Sequence, residues 1–232
     1  MQEISSSEKP LIGADNNSLI ALLSINLVVY AFIGFLKTVY YLNSYPLEQF
    51  YAQVLHPSIL FSDFQTFLHQ PWSLLTYNWA QDGFWILLTN MIWLTAFGLV
   101  LQASNSNKHL FPIYFYSGLF GGIVFCCLGG KVPLMGAGIS VMAISIAAMT
   151  IRPQYRLLKN MGGGIPLWVL VLGYLVLQIF SLKHVEIAIV LAHLIGAATG
   201  FIYILLLKKG VDLGKWMHQL LHLMNNSLAP KK

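Results

Sequence analysis

The chain has 232 residues, of which 57% are apolar and only 9% charged, with a mean hydropathy of +0.68. A soluble domain carries roughly 25% charged residues, so this composition excludes a water-covered globule and requires lipid against much of the surface. The formal net charge of +5 does not mark a nucleic-acid binder, because the basic residues are placed by membrane topology.

A helix needs about 20 mostly apolar residues to cross the hydrocarbon core. Residues 1–17 are polar and read as a cytoplasmic N-terminal segment. The first span is predicted over about 19–41. It is longer than a signal-peptide core and lacks a small-residue cleavage site, so it reads as a retained anchor. Residues 43–71 carry Pro46, Pro57 and Pro71, with His56 and His69 among them, and read as a membrane-associated connector that does not span. Further spans are predicted at 84–101, 111–128, 134–150, 165–182 and 187–207. Gly, Ala, Ser and His interrupt the fourth and sixth of these, a composition suited to the centre of a packed bundle. Residues 210–232 read as a basic, amphipathic interfacial tail.

The fold class is therefore all-α, a polytopic membrane bundle with six transmembrane helices around residues 18–209. Six spans put both termini on one side. That side collects Lys9, Lys108, Arg152, Arg156, Lys159 and the five lysines of the tail, ten of the thirteen basic residues. Lys37, Lys131 and Lys183 lie opposite. The positive-inside rule then places both termini in the cytoplasm. Cys126 and Cys127 are neighbours whose side chains diverge by about 100° on a helix, so a mutual disulfide is not expected. No metal-ligand spacing occurs and no cofactor is expected. The expected partners are the bilayer and other membrane helices, not nucleic acid.

Four stretches carry a resemblance. They are PWSLLTYNWAQDGFWILLTNMIWLTAFG at 71–98, PLMGAGISVMAI at 133–144, AHLIGAATGFIYILLLKKG at 192–210 and GVDLGKW at 210–216. In that order they resemble the rhomboid family of intramembrane serine proteases. The likeness implies a serine at the start of the fourth span, a histidine base in the sixth, and oxyanion donors from the second. Matched residue by residue, Gly138 falls where the nucleophile belongs and Val190 where the base belongs, with His193 on the family's second, non-catalytic histidine. Asn90 keeps the asparagine of the second span, but Ile86 replaces the histidine four residues before it and Gln81 a further histidine upstream. Gly136, Gly196 and Gly200 retain the small helix-packing surface.

The resemblance thus implies a rhomboid fold without peptidase chemistry, binding or regulating the transmembrane segments of clients or of an active rhomboid. The tail implies a bacterial inner membrane. The alternative is an active protease using Ser140 and His193. Relative to Gly138 and Val190 those positions are rotated by roughly 200° and 300°, so a shared site would need another register. His184 and Glu186 could form a local pair at the outer end of the sixth span. A transporter or channel is a third reading, weakened by spans almost free of charge.

Overall fold

The structure is a computed structural model and describes residues 18–104, 106–157, 163–181, 186–217 and 219. The N-terminal segment 1–17, His184 and most of the tail lie outside the described residues. Nine α-helices are described, with a two-stranded hairpin between α7 and α8.

Four stretches are long and apolar enough to cross a membrane: α1 (Ser18–Leu42), α5 (Phe84–Gln102), α6 (Leu110–Leu128) with the turn that precedes it, and α9 (Ile187–Lys208). Two apolar helices are shorter, α7 (Gly138–Ile151) and α8 (Leu167–Ser181). Three small helices, α2 (Leu47–Phe50), α3 (Phe64–His69) and α4 (Ser73–Thr76), lie between α1 and α5. Within the connector, a π-turn at Tyr51–Leu55 passes into a 3₁₀ turn at His56–Ser58, and Asp63 caps α3. The amide and the hydroxyl of Thr66 both donate to the Asp63 carboxylate and hold it below its ordinary range.

The fourth helix differs from its expected bounds. It begins at Gly138, not 134, because the residues before it are tied into non-helical backbone. Leu134 bridges Leu60, and the Gly136 N–H donates to the Tyr77 carbonyl at 2.8 Å with φ at +94°. A side chain at Gly136 would be strained in that left-handed conformation. Fourteen residues make a helix about 21 Å long, shorter than the ~30 Å hydrocarbon core. Irregular backbone at that depth is tolerated when protein satisfies it, which is what Leu60 and Tyr77 do here. The fifth helix likewise starts two residues late, since Ile165 and Pro166 pair with Arg156 and Leu157 in the hairpin.

α7 is the centre of the molecule. Its Ile139, Ser140, Val141, Ala143, Ile144 and Ala147 are all buried. It meets α9 through glycines: a Cβ built on Gly200 would lie 2.1 Å from the Ala143 carbonyl oxygen, and one on Gly196 would lie 2.8 Å from that of Ile139. α6 also approaches through small residues, with Gly121 against Ile139 and the Ala192 carbonyl. Backbone-to-backbone approach of this kind supplies the dispersion contacts that replace the hydrophobic effect between helices in lipid. Outward faces of α1, α5 and α8 expose Val28, Phe32, Phe35, Trp85, Ile92 and Leu172, as lipid contact requires. Beyond α9 the chain is pinned back: Tyr116 donates to the Leu213 carbonyl at 3.0 Å, and the Trp216 indole N–H to the Tyr116 hydroxyl at 2.6 Å.

Candidate functional site

The start of α7 is enclosed by α8 and α9. His193 is held on α9 by its own backbone, with Nδ1 2.8 Å from the Ile189 carbonyl. A carbonyl only accepts, so Nδ1 carries the hydrogen, which in a neutral ring leaves the lone pair on Nε2. That nitrogen faces Gly138: a Cβ there would lie 2.9 Å from Nε2. The same point is 3.4 Å from Nε2 of Gln178. Gln178 donates to the Tyr174 hydroxyl at 2.8 Å, and Tyr174 donates to the Gly138 carbonyl at 3.3 Å. The start of α7 therefore meets an imidazole from α9 and a Tyr–Gln pair from α8, and offers them a glycine. Gly138 itself carries no hydroxyl or thiol to act as a nucleophile.

The residue that faces Gly138 is thus His193, and Val190, the position matched to the base from sequence, is not among the atoms nearest to it. The shift has a geometric reason. At 100° per residue His193 lies roughly 20° from Gly200 and 60° from Gly196 around the helix, so it shares the face that packs on α7.

Ser140 and His193 are not brought together. Ser140 is fully buried on the side of α7 toward α6, where its hydroxyl donates to the Tyr114 carbonyl at 2.7 Å and accepts from the Asn78 amide at 2.8 Å. Ser117 adds a donor at 3.2 Å. A hydroxyl so committed cannot be deprotonated by an imidazole it does not touch. Its partners lie on neighbouring elements, where the sequence suggests only a carbonyl one turn back.

Asn90 and Gln81 belong to a second polar chain. Asn90 Nδ2 donates to Gln81 Oε1 at 2.9 Å, and Gln81 Nε2 to Asn26 Oδ1 at 2.9 Å. Asn26 donates onward to the Leu22 carbonyl, and its Oδ1 also accepts from the Tyr114 hydroxyl at 3.2 Å. Tyr114 then reaches the Asn78 carbonyl at 3.0 Å, joining this chain to Ser140. Four helices and the turn before α5 are stitched through buried amides and hydroxyls, and the Asn90 amide is engaged within them. Ile86, one turn before Asn90, is 51% exposed and faces outward.

Of the remaining residues, Glu186 accepts from the Lys131 N–H, and Ser62 donates to the Gly130 carbonyl, closing the outer loops over the bundle. His56 stacks on Phe61 with ring centroids 4.2 Å apart. Among the described residues no cluster of His, Cys, Asp or Glu could hold a metal. Asn26, Asn78, Tyr114, Tyr174 and Gln178 were not singled out in the sequence. For all but Asn78, which lies in the turn before α5, the signal was available, since polar residues inside apolar spans are scarce and usually engaged.

Removing the hub should destabilise the bundle. Asn26→Leu strands the Gln81 amide and removes one acceptor of Tyr114, at a cost of about 1–2 kcal/mol. Thermal unfolding in detergent should show the drop for this variant and none for Thr38→Val, whose hydroxyl is exposed and bonds only one turn back. Equal melting of the two variants would contradict the network.

The protein is a helical membrane bundle in which a histidine faces the start of a short central helix and glycines bring α9 and α6 close to that helix. A family model, the Rhomboid domain, matches residues 68–210, more than half of the chain. The chain belongs to the rhomboid family. Comparison with curated proteins gave no match.

Proposed function

We propose that this rhomboid-family membrane protein has six spans and no peptidase activity, and that it binds transmembrane segments of client proteins or of an active rhomboid. The observation that carries the reading is Gly138: the imidazole of His193 faces a residue without a side chain. In this reading Gly138 stands at the nucleophile's place and His193, not Val190, at the base's. Loss of a serine nucleophile costs on the order of 10⁶ in turnover. Engagement of Asn90 by Gln81 and the outward placement of Ile86 further thin the oxyanion donors.

The binding half of the proposal is supported by the faces left around the site. α8 turns Leu167, Val171 and Tyr174 inward and leaves Trp168, Leu172, Val176 and Leu177 exposed. A recess of about 490 Å³ opens between α1 and the connector, lined by Phe32, Ile33, Val54, Thr76 and Trp79 among others. It is large enough for a few side chains of a partner helix. The distribution of basic residues supports a cytoplasmic place for both termini, and a bacterial inner membrane is the proposed location.

A single-span reporter that an active rhomboid cleaves tests both halves. Co-expressed with this protein, the reporter should stay intact and co-purify with it in mild detergent. Cleavage of the reporter would refute the loss of activity, and an intact reporter that does not co-purify would refute the binding role for that client class.

A further inference from the structure

The turn between α7 and α8 is built unlike the other connections. Arg152 follows the last residue of α7, and the chain then folds through Pro153, Gln154 and Tyr155 to Arg156, where the hairpin begins. These five residues frame a recess of about 500 Å³. Both arginines are exposed, and among the described residues neither is paired with a carboxylate. The frame is fixed. The Leu167 N–H donates to the Tyr155 carbonyl at 2.8 Å, and Arg156 Nη1 reaches the carbonyls of Gly163 at 3.2 Å and Gly164 at 3.4 Å. Lys208, at the end of α9, donates to the Thr150 carbonyl at 2.8 Å, which holds a third cation at the same end of α7.

The height of the recess also matters. It lies at the ends of two apolar helices and includes the half-buried Tyr155, whose carbonyl holds Leu167, the residue before the exposed Trp168. Aromatic rings of this kind collect at the headgroup level of a bilayer. Guanidinium groups bind phosphate through paired N–H donors, and basic pockets at helix ends on the positively charged side of a membrane protein suit anionic headgroups.

We propose that the Arg152–Arg156 turn is a binding site for the phosphate of an anionic phospholipid, with both guanidinium groups as ligands and Lys208 adding to the field. The site rests on the chain's insertion in the bilayer and not on the loss of peptidase chemistry, so it stands or falls separately from that reading.

The test is native mass spectrometry of the full-length protein released from nanodiscs that contain phosphatidylglycerol and phosphatidylcholine in equal amounts. The protein should retain phosphatidylglycerol in preference to phosphatidylcholine. The Arg152→Ala/Arg156→Ala variant should lose that preference by about thirtyfold, from two charges each interacting with the surface lipid. Lys131→Ala, at the opposite membrane face, should keep it and shows that a lost charge alone is not the cause. Equal retention of both lipids by the parent protein, or an unchanged preference in the double variant, would overturn the proposal. Displacement of the lipid by millimolar inorganic phosphate would assign the turn to a soluble anion and overturn the lipid assignment. A folded variant is recognised by an unchanged melting temperature in detergent. Arg152→Gln/Arg156→Gln, which keeps side-chain bulk, repeats the measurement if the alanine variant melts early.

Discussion

Gly200→Ala should lower the stability of the bundle by about 3 kcal/mol, at the upper end of what overpacking costs. The added methyl would sit 2.1 Å from the Ala143 carbonyl oxygen, 2.8 Å from its carbonyl carbon and 3.0 Å from its Cα. No rotamer change can relieve this, because all three neighbours are backbone. α9 must move away from α7 by more than an ångström, and the contacts of Ile139, Ala143 and Gly196 along the same seam loosen with it. Gly196→Ala should also destabilise, since its methyl would meet the Ile139 carbonyl oxygen at 2.8 Å. Gly34→Ala provides the control, as a Cβ there has no heavy atom within 4 Å. Unfolding under a fixed force or in a denaturing detergent should rank the variants in that order. A Gly200→Ala protein as stable as the parent would mean that α7 and α9 do not cross as closely as they are placed.

The second large effect is a gain. Gly138→Ser places a hydroxyl beside His193, and the atom that must yield to the new Cβ is Nε2, at the end of a side chain that can turn. The parent protein has no nucleophile there, so reaction of the variant with a fluorophosphonate should appear from a blank background. The reaction should depend on the imidazole. Adding His193→Ala should slow it by about 10²–10⁴, the usual contribution of a positioned general base, whereas adding Val190→Ala should leave it unchanged. Dependence on Val190 and not on His193 would restore the register read from sequence. A folded Gly138→Ser protein that remains unreactive would show that the place beside the imidazole is not a nucleophile's place.

How much of this was legible before the structure differs from residue to residue. The bundle follows from composition, because 9% charged residues cannot solvate a chain of this size. Gly196 and Gly200 announce a close crossing by their spacing, and a Cβ at either meets α7. The start of α7 was not legible. Leu134, Met135 and Ala137 look helical by hydropathy, and only the pairing of Leu134 with Leu60 and the left-handed Gly136 reveal a break. The facing of Gly138 by His193 was not legible either, because a linear motif with two histidines admits two registers three residues apart. Placing His193 on the Gly196–Gly200 face would have resolved it, since the helical period puts Val190 farther round. The Asn26–Gln81 and Asn78–Ser140 contacts are long-range pairings, set by how α1, α7 and the turn before α5 are brought together, and no local pattern encodes them.

Ser140 illustrates the same limit in the other direction. Its G-x-S context suggests a nucleophile, while its burial and its bonds to Tyr114 and Asn78 describe a structural hydroxyl. The distinction between an inactive rhomboid and one that uses a displaced serine therefore rests on a single residue.

Intact-mass labelling with a fluorophosphonate tests that distinction most directly. The purified parent protein, its Ser140→Ala variant and an active rhomboid as positive control would be treated side by side. The expected result is an adduct on the control and none on either form of this protein. A single adduct on the parent that disappears in the Ser140→Ala variant would contradict it and make the chain a working protease.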